Sequence, residues 1–135
     1  MATLKAQVDR RQQQLAKLQK TKTVTSAMDS KASKDARYVM RFKRRVEQIG
    51  NAQYPKVARA RQITGDVRLM VIISRTGKLK ATHLLQSSGS TLLDDFAKST
   101  VRQAAPFGKF SRGMDVHELR IIRTWRFGDS ISVQS

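Results

Sequence analysis

Side chains that could carry chemistry are present in this chain, but they are scattered. A serine nucleophile needs a flanking glycine pattern, and Ser87 and Ser88 precede only Gly89. Metal binding needs clustered ligands, and His83 and His117 each stand alone without the spacing of a metal site. The sequence therefore predicts no catalytic residue, no metal site, no cofactor and no enzymatic activity.

The remaining candidates have structural interpretations. Asp94 and Asp95 could form an acid–base pair, but they follow Ser90, which can cap a helix whose positive end favours acidic residues. Trp125 lies in an alternating apolar run, which is typical of a core aromatic residue. We expect the two histidines to be packing or edge residues.

Charge is the strongest compositional signal. The chain has 27 basic and 10 acidic residues, a net charge of +17, with 13 basic and 4 acidic residues up to residue 50. Basicity is therefore a property of the whole chain and is compatible with a nucleic-acid-binding module. That alternative is weak, because the sequence has no recognised nucleic-acid motif and only 6% aromatic residues. Since there is no cysteine, disulfides, thiolate zinc sites and redox pairs are excluded.

The first 35 residues differ from the rest. Leu4, Val8, Leu15 and Leu18 follow a heptad spacing, which predicts a helical stalk, and the polar residues 21–34 predict a flexible linker. The longest apolar run, residues 69–73, is far too short to span a bilayer, and the N-terminus lacks the apolar region of a signal peptide. We expect a soluble fragment of a longer, membrane-anchored protein, with a domain over residues 36–135.

Within residues 36–135, periodicity predicts helices and strands in alternation. The expected elements are a helix from Tyr38 that stops at Gly50-Asn51, a short helix after Pro55, strands over residues 67–73 and 79–85, a helix from Ser90 to Pro106, and a strand from Val116 to Phe127. This order predicts an α+β fold, in which a three-stranded antiparallel sheet carries helices on one face.

The last predicted strand is long and basic. We expect it to be an edge strand, whose unpaired backbone groups can accept an added chain. Arg120, Arg123 and Arg126 would favour an acidic or neutral partner segment. The sequence leaves open whether two copies of the chain form a homodimer through this edge.

A series of short motifs gives the domain a family resemblance. In order, they are Tyr38-x-x-x-Phe42, Arg44-Arg45-Val46-Glu47-x-Ile49-Gly50-Asn51-x-x-Tyr54-Pro55, Ala58-Arg59, Gly65-x-Val67, Gly77-x-Leu79, Ser87-Ser88-Gly89, Leu93-Asp94, Pro106-Phe107 and Arg123-Thr124-Trp125-Arg126-Phe127. Together they resemble the C-terminal periplasmic domain of TonB energy transducers. The Tyr-Pro, Ser-Ser-Gly and Trp-Arg-Phe elements favour this family over the alternative, a TolA-like envelope domain.

The resemblance implies a function without catalysis. It implies a protein anchored in the inner membrane, driven by an ExbB–ExbD proton-motive complex through a region absent from this chain, and active in the periplasm. Its partners would be outer-membrane TonB-dependent receptors, which take up siderophore-bound iron, cobalamin or similar ligands and offer a short segment, the TonB box, for strand addition. Carried over to this sequence, the receptor-binding residues are Gln53, Tyr54, Pro55, Arg59, Val116, Glu118, Arg120, Ile122, Thr124 and Arg126.

The sequence departs from the family at its N-terminal side. No membrane anchor is present, and the only two prolines, Pro55 and Pro106, lie inside the predicted domain, so a Pro-rich spacer is not expected. The Lys- and Gln-rich residues 4–20 are interpreted as the end of a helical spacer instead.

Overall fold

A computed structural model describes residues 21–24, 33–114 and 116–134; the predicted stalk helix at residues 4–20 lies outside them. The elements within the described residues are β1 (Thr21–Val24), α1 (Ser33–Ala52), α2 (Lys56–Ala60), β2 (Gly65–Ser74), β3 (Leu79–Gln86), α3 (Thr91–Ala104), β4 (Glu118–Phe127) and β5 (Ile131–Gln134). The three predicted strands correspond to β2, β3 and β4. Two strands, β1 and β5, were not predicted, and β1 lies within the stretch predicted to be a flexible linker.

The sheet is built around β2. This strand pairs antiparallel with β3 on one side and with β4 on the other, where the register runs without a shift from Gly65 opposite Phe127 to Ser74 opposite Glu118. On the far side of β4, β1 pairs in parallel with the first part of the strand and β5 pairs antiparallel with the last part. The α+β prediction is confirmed, but the described sheet has five strands rather than three.

The core lies between one face of the sheet and the helices. Alternate residues of β2, from Val67 to Ile73, are fully buried, and so is Trp125 on β4. The apolar stripe of α1 covers them, and Phe42 meets Trp125 edge-on with ring centroids 6.3 Å apart. The predicted core role of Trp125 is confirmed. Because alternate side chains of a strand point to opposite faces, the residues between these buried positions form the other face of the sheet, the open face, where they are half-buried or exposed.

Helix α1 is longer than the sequence predicts at both ends. It begins at Ser33 and continues through Gly50 to Ala52. The prediction that Gly50 stops the helix is wrong, because this glycine serves a contact with another element. A Cβ at residue 50 would lie only 3.0 Å from two side-chain carbons of Ile131, so the absent side chain lets β5 pack closely against the helix.

Helix α3 begins as the sequence predicts. Ser90 is its N-cap, and its hydroxyl accepts a hydrogen bond from the Leu93 amide at 3.4 Å. Asp94 in the first turn is buried and accepts hydrogen bonds from the hydroxyls of Ser87 and Ser88 and from the Ser88 amide. The Ser-Ser-Gly motif therefore closes the loop that precedes this helix.

Candidate partner-binding edge

The side of β4 that faces away from β2 is named here the β4 edge. It is not open along its whole length. β1 pairs with residues 118–121 and β5 pairs with residues 124–127, so only Ile122 and Arg123 lie between the two covering strands. The prediction that β4 is an open edge strand is therefore wrong for the described chain. The sequence argument failed because it placed no strand in residues 21–24 or 131–134.

Side chains from α1 hold β5 in place. The Ile131 amide donates to Asn51 Oδ1 at 2.9 Å, and the Val133 amide donates to Glu47 Oε1 at 3.0 Å. Ile131 and Val133 are also buried in the core. These contacts occupy the backbone donors on the outer side of β5, so we expect this strand to be a permanent cover. Neither Asn51 nor Glu47 was a predicted site residue, because their role depends on a strand that the sequence did not reveal.

The same two hydrogen bonds fix the direction of the β4 backbone. Since the Val133 amide points away from β4, its partner across the ladder, Trp125, directs its own amide away from β5 and towards β2. Successive amides along a strand alternate in direction, so the backbone amides of the even-numbered residues of β4 point towards the β4 edge. The Ile122 amide therefore points towards the β4 edge, at the Val24 end of β1, while the Ile122 carbonyl accepts a hydrogen bond from Arg123 Nη1 at 2.9 Å.

The polar residues of β4 that the sequence assigned to partner binding make their side-chain contacts with residues of β2, β3 and β4 itself, on the open face. The contacts are Lys80 Nζ to Glu118 Oε1, Arg120 Nε to Glu118 Oε2 at 4.0 Å, Arg68 Nη1 to Thr124 Oγ1 at 2.9 Å, and Arg126 Nε to Asp66 Oδ1 at 3.2 Å. Such exposed ion pairs contribute little stability individually. A partner at residues 118–123 of the β4 edge would meet the backbone of Glu118 and Arg120 rather than their paired side chains.

Tyr54 belongs to the wall of the core. It is 8% exposed, its hydroxyl donates to the Gly128 carbonyl at 3.0 Å, and its ring contacts Phe127 with centroids 6.1 Å apart. Burial raises the pKa of this phenol, while the nearby positive charge of Arg59 acts in the opposite direction. Tyr54 thus ties the end of α1 to the turn between β4 and β5.

The neighbours of Tyr54 are more accessible. Gln53 is exposed, Pro55 is the N-cap of α2, and the exposed Arg59 places its guanidinium carbon 5.0 Å from the centre of the Tyr54 ring. Arg59 also lines a groove of about 730 Å³ between α2 and the turn that contains Asp129. Pro55 suits this position because a helix start does not require its missing amide.

The predicted site residues fall into two groups. Tyr54 and Arg59 lie beside the C-terminal end of β4, whereas Val116 and Glu118 lie at its start. A ten-residue strand is about 30 Å long, so the two groups are separated by most of the strand. Only a partner that extends along β4 could contact both.

No group of three or more potential metal ligands occurs within residues 33–114 and 116–134. His83 and His117 are both exposed, on β3 and just before β4 respectively. No helix in the described part of the chain is both long and apolar enough to cross a membrane.

The chain is similar to known proteins in sequence and in fold. The model of the family described as Gram-negative bacterial TonB protein C-terminal matches residues 50–128, more than half of the chain. The chain belongs to this family. Members of the TonB C-terminal family are periplasmic, non-enzymatic domains of inner-membrane-anchored energy transducers, and they interact with TonB-dependent receptors. No curated protein matches the chain.

Two solved structures share the fold. Both are solution structures of the TonB C-terminal domain of Helicobacter pylori. The longer fragment has a TM-score of 0.57 at 18% identity, over 69% of this chain and 81% of that chain. The shorter fragment has a TM-score of 0.54 at 19% identity, over 67% and 92%. At this identity the similarity establishes the TonB-type fold alone.

Proposed function

We propose that this domain binds outer-membrane TonB-dependent receptors by adding their extended TonB-box segment to the β4 edge at residues 118–123. The observation that supports the proposal comes from the half of the β4 edge at residues 118–123. This half already carries a parallel strand, β1, and the Ile122 amide at the end of that strand points to the same side of β4. The other half is covered by β5, which side chains of α1 hold in place.

Backbone pairing suits a partner that must be recognised in several receptors. A β-ladder uses main-chain groups that every sequence has, and side chains adjust the preference. Among charged residues, β4 carries three arginines and one glutamate, so an acidic or neutral segment is favoured over a basic one.

The other predicted residues are proposed as flanking contacts. Gln53, Pro55 and Arg59 would meet the receptor beyond the end of β4, with Tyr54 as their buried support. Val116 would lie at the entry to the edge. Thr124 and Arg126 direct their backbone amides to β5, so their contribution would come from side chains on the open face.

The biological role follows from the family. We propose that the parent protein is anchored in the inner membrane, that it is energised by ExbB and ExbD through a region outside this chain, and that it delivers this energy to receptors for siderophore-bound iron, cobalamin or similar ligands.

The test is an NMR titration of the labelled domain with a synthetic TonB-box peptide, beside a random DNA oligonucleotide, at low and high salt. We expect the peptide to shift the amides of Gln53, Tyr54 and residues 118–123 with little dependence on salt. Diffuse shifts on basic residues that are strongest with DNA and vanish at high salt would instead support electrostatic nucleic-acid binding.

A substitution at Ile122 tests the backbone contribution. Ile122→Pro removes a donor that faces the β4 edge and not β2, so the sheet should survive while peptide affinity falls about two- to tenfold, the equivalent of one hydrogen bond. Ile122→Ala is the matched control, since it shortens the side chain but keeps the amide. Equal peptide affinity for the two variants, both folded by circular dichroism, would contradict strand addition at this residue.

A further inference from the structure

The strand that now covers residues 118–121 comes from the chain itself. Because β1 and an added receptor strand would need the same backbone groups of β4, they cannot be bound together. We infer that Thr21–Val24 is a resident competitor for the β4 edge, which a receptor segment must displace. This inference rests on the proposed function and adds a level of regulation to the same site.

The two covering strands are held very differently. β5 is anchored by the buried side chains of Ile131 and Val133 and by the hydrogen bonds of their amides to α1. It is also joined to β4 by a short turn, within which the Gly128 amide donates to the Ser130 carbonyl at 3.2 Å. A partner strand therefore has no easy route to residues 124–127.

β1 is the cover that can be exchanged. It pairs with β4 over four residues, from Thr21 opposite Glu118 to Val24 opposite Ile121, and the pairing is parallel. Parallel pairs are slightly less stable per residue than antiparallel ones, and a single short strand is marginal alone. Threonine and valine favour strands, so β1 can pair with β4, but only four residue pairs hold it there.

The composition of β4 favours a different occupant. This strand carries three arginines and one glutamate. An acidic or neutral receptor segment would suit this charge better than the basic sequence TKTV of β1. The resident strand thus blocks the edge while no receptor is bound, but it should be displaced by a better-matched one.

The competition between β1 and a receptor segment lowers the apparent affinity for that segment. The apparent affinity for the receptor segment is the intrinsic affinity multiplied by the fraction of molecules in which β1 has left the edge. If β1 is paired in about nine-tenths of the molecules, its release would tighten peptide binding about tenfold.

The chain allows a clean test because it has no cysteine. In the double variant Thr23→Cys with Arg120→Cys, the two cysteines replace residues that are directly paired between β1 and β4. Neighbouring strands lie about 5 Å apart, which is within the reach of a disulfide. Oxidation should lock β1 onto the edge, and reduction should free it, in one and the same polypeptide. The single variant Thr23→Cys, treated with the same oxidant, controls for the chemistry.

The measurement is the affinity of a fluorescent TonB-box peptide for each form, with disulfide formation followed by mass spectrometry. We expect the oxidised double variant to bind at least about tenfold more weakly than the reduced one. We also expect Thr23→Pro, which weakens β1, to bind several-fold more tightly than the original chain.

The outcomes separate the inference from the proposed function. If the double variant forms no intramolecular disulfide and Thr23→Pro binds no more tightly than the original chain, the resident competitor is refuted and strand addition survives. If the oxidised and reduced forms bind the peptide equally well, both ideas fail, because a locked β1 occupies the backbone groups that an added strand needs. If the peptide binds no form, including Thr23→Pro, the proposed function itself fails.

Discussion

The clamp that α1 places on β5, formed by Glu47 and Asn51, should be measurable as stability. Asn51→Ala removes the acceptor of the 2.9 Å bond from Ile131, a neutral hydrogen bond with a net contribution of about 1 kcal/mol. Glu47→Ala removes a charged acceptor 3.0 Å from the Val133 amide, for which about 1.5–3 kcal/mol is typical. We expect the double variant to lose about 2–4 kcal/mol of unfolding free energy.

The two losses should be less than additive. Both side chains hold the same four-residue strand, so once β5 frays after the first substitution, the second bond has less left to stabilise. Urea unfolding monitored by circular dichroism gives the three free energies, and the matched control is Gln48→Ala at an exposed position of the same helix. Hydrogen exchange should accelerate at the amides of Thr124 and Arg126, which face β5. A double variant that loses less than about 0.5 kcal/mol, with unchanged exchange, would refute the clamp.

Three further substitutions test the packing and electrostatics of the domain. Gly77→Ala should destabilise it by about 1–3 kcal/mol more than Gly89→Ala in urea unfolding, because both glycines have φ of +88° but only at residue 77 would a Cβ fall 2.4 Å from a backbone oxygen, that of Gly108. Tyr54→Phe should lose about 1 kcal/mol by the same assay, since it removes the phenol donor at the β4–β5 turn; no loss would mean that the ring alone is the support. Burial would raise the pKa of Asp94, but its hydrogen bonds outweigh this and lower the pKa below 3.8. Its stabilisation is therefore present above that value and lost as the pH falls through the folded pKa, so the stability difference from Asp94→Asn should shrink in acid, and a pH-independent difference would contradict this sign.

The sequence predicted the parts of the fold that have a local cause. Alternation along residues 67–73 and around Trp125 reports directly which side chains face the core, because the period of a strand is fixed by its backbone. The cap of α3 was equally visible, since Ser90 contacts an amide only three residues away.

The sequence did not predict the features that depend on residues far away along the chain. Residues 131–134 are too few and too polar to form a recognisable strand, and they are extended because β4, Asn51 and Glu47 supply their partners. Gly50 resembles a helix stop, but it is a contact point for Ile131 some 80 residues later. The β4 edge was predicted to be open because its two covers follow from tertiary pairing, which periodicity cannot reveal.

The position of β1 has a mechanical consequence. It precedes every other described element along the chain, and it is held to the sheet by four residue pairs, whereas β2 and β4 share ten. Tension applied from the N-terminal side therefore loads β1 before the core, and the weaker ladder should yield first. In a single-molecule pulling experiment this would be a small early extension before the main unfolding event, and its absence would show that β1 bears no load. A pull on the chain would thus clear the edge of β4 while the rest of the domain stays folded.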